Sequence, residues 1–185
     1  MAFVDLSFRF DPWFLALPKS PLDRGRVHRV VLRTGFGQRA TPGSIRVEAG
    51  RGAVGDSWPT HKFSLAAKNE IAIINVHVLR SLADGDEAKM PLSGDQIQAD
   101  LDLSEANLPV GTRLSIGSAV LEVTDLPHRP CEHFVERFGA TAAKKVARAN
   151  RKGRRGRGVL CRVVVDGEIR DGDEIAVQRP PPTSG

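Results

Sequence analysis

The 185-residue chain has no apolar run long enough to cross a bilayer, which excludes a transmembrane helix. Its opening, Met1-Ala2-Phe3-Val4-Asp5, lacks the basic segment and apolar core of a secretory signal, so export is not expected. Cysteine is scarce: Cys131 and Cys161 are the only two. They could pair, but their surroundings differ. Without a signal toward an oxidising compartment, two free thiols in the cytoplasm are expected. No periodic repeat is visible, which argues against a stacked-repeat architecture. Aromatics make up 5% of the chain and none is interleaved with the basic run between residues 144 and 157, so nucleic-acid binding is disfavoured.

What is present is an ordinary balance of 41% apolar and 26% charged residues, enough for one well-buried core in a chain of this length. The formal charge of +5 is compatible with an anionic partner, without choosing among nucleotide, cofactor phosphate and membrane surface. Part of that charge is the run Lys144, Lys145, Arg148, Arg151, Lys152, Arg154, Arg155 and Arg157. It can bind phosphate through charge and guanidinium hydrogen bonds, or simply be a solvated helix end followed by a glycine-studded loop.

Residues 3–17, rich in Phe and Trp and broken by Asp11-Pro12, read as an extended arm whose aromatics pack onto the domain. Strands are expected over 27–33, around Ile45 and Val47, and over 71–76, the most apolar short run. Val78, Leu79 and Leu82 predict a short helix ending near Gly85. Residues 96–103 alternate polar and apolar, as a strand with one wet face should. Strands over 112–116 and 119–123 flank a tight turn at Gly117-Ser118. Residues 132–150 are helical with an interruption at Gly139, and strands over 159–165 and 173–177 follow, with turns at Asp166-Gly167 and Asp171-Gly172. Many short strands, glycine-rich turns and few helices point to an antiparallel barrel or sandwich.

The candidate site is Leu126-Pro127-His128-Arg129-Pro130-Cys131-Glu132-His133-Phe134. Pro130 keeps Arg129 out of the α region, so a helix starts at or just beyond Cys131, with Phe134 and Phe138 on one face. A helix start, Arg129 and either protonated histidine favour a thiolate, while Glu132 opposes it. A thiolate attacks electrophilic sulfur or coordinates a soft metal; the alternative is a thiol packed as a small apolar residue. His128 and His133 would make an incomplete metal set with Cys131; one of them orients or deprotonates the thiol, or neither does anything beyond packing. Asp56 could contact a ligand or cap a turn, the turn being the simpler duty. Cys161 alternates with Val159, Val163 and Val165 and reads as core.

Several of these segments occur in an order that is similar to the MOSC domain family, named for the C-terminal domain of molybdenum-cofactor sulfurases. They are Gly55-Asp56, residues 71–82, Asn107-Leu108-Pro109-Val110-Gly111-Thr112-Arg113-Leu114, Arg129-Pro130-Cys131, Gly158-Val159-Leu160-Cys161-Arg162-Val163 and Gly172-Asp173. The resemblance covers roughly residues 26–179. It implies a mainly β, MOSC-like antiparallel β-barrel with a few short peripheral helices; the residues outside it read as an extended arm over 1–25 and, from their proline content, a disordered tail over 180–185. It also implies a role built on the molybdenum cofactor (molybdopterin), with the family cysteine matching Cys131. Two segments depart from the family pattern. Ser57 and Trp58 follow Asp56 where relatives often have histidine, the next histidine being His61; and Gly94-Asp95-Gln96 stands where relatives often have Gly-Glu-Asn.

A molybdopterin ligand presents a phosphate, a fused heterocycle and a sulfur-bound metal. Cys131 is the expected metal ligand or sulfur carrier, and Arg129, Asp56, Lys144, Lys145 and Arg148 are the expected cofactor contacts. Three functions follow: a carrier passing sulfur from a Cys131 persulfide to a metal centre, a molybdenum-dependent reductase of N-hydroxylated compounds, or a non-catalytic module binding an anionic small ligand. The first two imply a sulfur-donor or reductase protein as partner.

Overall fold

The computed structural model describes residues 6–181. Residues 6–15 are helical rather than extended: a 3-10 turn over Leu6–Phe10 runs into α1 (Asp11–Leu15), with Pro12 in its first turn. Proline suits that position, because its missing N–H would be unpaired there anyway. The expected packing of the aromatics holds, since Trp13, Phe14 and Leu17 lie against a buried cluster on the outside of the barrel. Most of the expected disordered tail, residues 182–185, lies outside the described residues.

Twelve strands follow among the described residues. β1 (Arg24–Val30) turns Val27 and Val30 inward, and β2 (Leu32–Gly35) pairs with β3 (Gln38–Ala40) in a hairpin of its own. β4 (Ser44–Glu48) and β5 (Gly52–Ala53) come next. β6 (Ile71–Asn75) is buried on both faces and ends where the Asn75 side chain accepts the N–H groups of His77 and Val78, capping α2 (Val76–Leu82). β7 (Ile97–Asp100) precedes β8 (Arg113–Ile116) and β9 (Ala119–Val123), which form a hairpin at Gly117-Ser118. Two helices, α3 (Glu132–Phe138) and α4 (Ala140–Arg151), meet at Gly139. β10 (Val159–Val165), β11 (Gly167–Arg170) and β12 (Glu174–Gln178) close the order.

Seven strands close a barrel in the order β1-β12-β8-β9-β10-β6-β7, with β7 returning to β1. The fold is mainly β with short helices outside, as expected. One barrel pairing is parallel, β6 with β7, because the chain crosses between them through α2 and a 3-10 turn over Met90–Ser93.

Two further expectations need correction. The expected wet face of residues 96–103 is covered in its first half, where Gln96 and Gln98 are 1% and 0% exposed, while Asp100 and Asp102 reach solvent in part. Gln96 uses its side-chain oxygen to accept the Ala72 N–H at 2.8 Å, standing in for a strand partner at the start of β6. The turn at Asp166-Gly167 leads into a strand rather than straight to β12. β11 pairs with β4 in a separate sheet, and Gly167 allows its backbone to press on Ser118, where a Cβ would come within 2.4 Å of the carbonyl carbon.

The barrel interior holds Val27, Ile73, Ile97, Leu114, Ile116, Leu121, Val163 and Ile175 among others. A second apolar cluster, built on Ile74, Leu79, Met90, Phe134, Phe138 and Val146, ties α2, α3 and α4 to the outside of β6. No helix among the described residues is long and apolar enough to cross a membrane.

Candidate functional site

Cys131 is carried out of the barrel by β9. Past Val123 the Thr124 hydroxyl donates to the Lys68 carbonyl at 2.6 Å, and the chain runs through Pro127 and Pro130 into α3. Cys131 is the extended residue before the helix (φ −99°, ψ 176°), and its carbonyl accepts the N–H groups of Phe134 and Val135 at 3.0 and 3.1 Å. Phe134 and Phe138 stack at 4.9 Å within the second cluster and lock the helix in place. The Cys131 thiol is left exposed on the wall of a cavity of about 750 Å³. Cys161, on β10, is fully buried, and burial pushes its thiol up to about 12.

That volume lies within the roughly 300–1,000 Å³ typical of small-molecule sites. The cavity is walled by the β2–β3 hairpin, the loop from Ser57 to Asn69, residues 93–96, residues 126–131 and α3. Six cations line it, Arg33, Arg39, Lys62, Arg129, Arg137 and Arg157, against one carboxylate, Asp95.

Asp95 is already engaged. Arg157 Nη1 reaches both of its oxygens at 2.7 Å and Nη2 donates to the Ser93 carbonyl at 3.2 Å, while the guanidinium lies 4.7 Å from the Phe134 ring centre. His128 Nδ1 stands 3.7 Å from Asp95 Oδ1. Burial, then the charges of Arg157 and Arg33, hold His128 well below the ordinary imidazole range, so the ring is neutral. Asn150 anchors this region, donating to the His128 carbonyl at 2.9 Å and accepting the Arg157 N–H at 3.1 Å. On the opposite wall Arg33 lies 4.8 Å over Trp58, whose ring stacks on His61 at 4.8 Å and 13°.

Of the expected site residues, the fold brings together Cys131, His128, Arg129 and His133, all on the cavity wall. His133 pairs with Glu136 at 3.0 Å and lies edge-on to Phe36 at 5.3 Å. Asp56 does not line the cavity. Its shielded carboxylate accepts from Arg33 Nε at 3.0 Å and from the backbone N–H groups of Arg33 and Trp58 at 2.9 and 2.8 Å, which is turn duty that also orients Arg33. Lys144, Lys145 and Arg148 do not line the cavity either. Lys144 is solvent-exposed, Lys145 lies 5.1 Å over Trp13, and Arg148 grips Asp11 at 2.7 and 3.1 Å. The N-terminal segment is therefore the partner of that face of α4. Arg33, Arg39 and Arg137 were missed because they are scattered over two strands and a helix, in no compact basic run like that of residues 144–157.

Buried polar atoms on this wall lack partners. Arg39 Nε, Arg157 Nε, Gln96 Nε2 and His128 Nδ1 are all shielded from solvent without a hydrogen bond. Three of the four are obligate donors. An unmet buried donor costs about 1–3 kcal/mol, so the wall is short of acceptors. Among the described residues no three His, Cys, Asp or Glu side chains converge on a point. A metal held through Cys131 would have to bring its other ligands with it.

A sequence profile for the MOSC domain matches residues 60–176, more than half of the chain. The chain belongs to the MOSC domain family. Three solved structures share its fold. The YuaD protein from Bacillus subtilis has a TM-score of 0.60 at 20% identity, over 83% of this chain and 95% of that one. YiiM from Geobacillus stearothermophilus gives 0.55 at 14%, over 83% and 75%. YiiM from Escherichia coli gives 0.53 at 16%, over 83% and 69%. No curated protein matches. The family is tied to the molybdenum cofactor, so this MOSC chain is a molybdenum-cofactor-related domain. Both segments where it departs from the family pattern face the cavity: Ser57, Trp58 and His61 on one side, and Gly94, Asp95 and Gln96 on the other.

Proposed function

We propose that this MOSC domain binds a molybdopterin-type cofactor in the 750 Å³ cavity, with the Cys131 thiolate as the protein's ligand to the metal. The observation that carries this reading is the mismatch on the cavity wall: unpaired buried donors and surplus guanidinium groups around one reachable thiol. A ligand rich in acceptors, negatively charged and bringing a partly ligated soft metal answers each of these features. When bound, the group would supply a redox-active metal already held by sulfur. Arg157 and Gln96 would donate to ligand oxygen or nitrogen, neutral His128 could donate or accept at Nδ1, and the Arg33–Trp58–His61 stack offers a flat wall for a ring. Asp95 and Asp56 keep Arg157 and Arg33 fixed in place.

The test is elemental analysis and pterin fluorescence of protein from a cofactor-competent host. Wild-type protein should retain molybdenum and pterin. Cys131→Ser should lose the metal while melting at the wild-type temperature, since an exposed thiol contributes little to packing. Molybdenum at full occupancy in Cys131→Ser, or neither metal nor pterin in the wild type, would sink the assignment. The exposure of Cys131 favours one second reading, a persulfide carrier whose sulfur a partner protein can reach. Cyanide-labile sulfur on Cys131 without metal would replace the first reading with that one. Reduction of N-hydroxylated compounds would in turn need bound cofactor and a separate reductase protein. Cytoplasmic residence remains part of the proposal.

A further inference from the structure

Arg39 enters the cavity from β3 with a buried donor that nothing compensates. Nη1 donates to the Gln38 carbonyl at 2.6 Å, but Nε is buried without an acceptor, and among the described residues no carboxylate forms an ion pair with it. Burial, then repulsion from Arg137 and Arg33, pushes its guanidinium down to about 10. The carboxylates that pull the other way, Asp56 and Asp95, are committed to Arg33 and Arg157. Arg137 gives Nη1 to the Leu92 carbonyl at 3.0 Å and carries no acidic partner among the described residues. Arg39 and Arg33 meet over Gly94: a Cβ there would stand 3.2 Å from Arg39 Nη2 and 3.7 Å from Arg33 Cδ, on a backbone at φ +79°, and Arg137 is near enough to repel Arg39. Converging guanidinium groups with open donor positions are what phosphate oxygens recognise, since the planar fork matches them two at a time. Arg137 lies in the last turn of α3, the helix that Cys131 precedes.

We propose that Arg39, Arg137 and Arg33 form a subsite for a phosphomonoester in the cavity whose wall also carries the Cys131 thiol. The cofactor-binding reading enters only in naming the source, which is either the cofactor's own phosphate or a phosphorylated substrate; the subsite stands without it.

The experiment is thermal unfolding of the cofactor-free full chain in inorganic phosphate, against chloride at matched ionic strength. Phosphate should raise the melting temperature of the wild type and of a surface control, Lys19→Gln. Arg39→Gln should weaken phosphate binding by about tenfold or more, the scale of one charge-assisted hydrogen bond. Without phosphate it should melt at or above the wild-type temperature, because a repelled charge has gone. Arg39→Lys should recover part of the response. If Arg39→Gln does not fold, Arg137→Gln makes the same test. A wild type indifferent to phosphate, or an equal response in the variant, overturns the subsite whatever the metal content. Molybdenum and pterin content then names the source. Their loss in Arg39→Gln assigns the phosphate to the cofactor, and their full retention assigns it to a substrate. Phosphate binding through Arg39 in a wild type that retains neither metal nor pterin supports the subsite and removes the cofactor reading.

Discussion

The two cysteines show how little residue type decides. Cys131 is exposed at a helix start on a cavity wall, whereas Cys161 is sealed among Val123, Val159 and Val163. Substituting Cys161 by Ser should cost about 1–3 kcal/mol, since a hydroxyl enters apolar packing without a partner. Chemical denaturation checks this, and alkylation of the folded wild type should label Cys131 alone. His128 adds a pH dependence whose sign is fixed. The folded protein holds it neutral, well below the ordinary value of 6.5, while the unfolded chain protonates near that value. The unfolded state therefore binds more protons below it, and the stability from neutral His128 is present above pH 6.5 and lost as pH falls further. Melting temperatures of cofactor-free protein should decline between about pH 7 and pH 5, less steeply in His128→Gln.

At the scale of elements, close backbone approach governs what the chain tolerates. Gly158 opens β10 at φ +96°, where a Cβ would lie 2.1 Å from the Ile73 carbonyl oxygen. Gly158→Ala should cost about 3 kcal/mol or more, through both the left-handed backbone and displacement of β6 from β10. Urea titration measures it, and a cost under about 1 kcal/mol would show that the β6–β10 contact yields easily. Strands with strong patterns were legible beforehand: residues 71–76, 119–123 and 159–165 declare themselves by β-branched content, and the break at Gly139 by its glycine. β11 was not, because Gly-Glu-Ile-Arg is too short and too polar to carry a period. The buried Gln96 and Gln98 misled for a related reason, since alternation reports side-chain direction and not what later covers the outer face. The site was legible as one segment around Cys131. Its arginines come from β2, β3, α3 and the loop before β10, and only tertiary closure reveals that they converge.

Across the whole molecule, the Arg157–Asp95 pair joins the segment leading into β10 to the one leading into β7, beneath the cavity. Both side chains are almost wholly buried, at 6% and 0% exposed. Removing one partner strands a charge away from water, so Arg157→Met should cost about 3–5 kcal/mol. Asp95→Asn in the same chain should recover much of that loss, because the remaining groups are neutral. Denaturant midpoints of the single and double variants check this, and equal destabilisation in both would mean that Arg157 acts by packing on Phe134 alone.

Closure of the barrel has a consequence for how the protein comes into being. Arg24 pairs with Ala176, so the seam joins the first strand of the barrel to the last. During synthesis on a ribosome, β1 can find β7 early, but its other edge stays open until β12 emerges. For most of translation the nascent chain therefore carries an unpaired strand edge, which only the final strand closes.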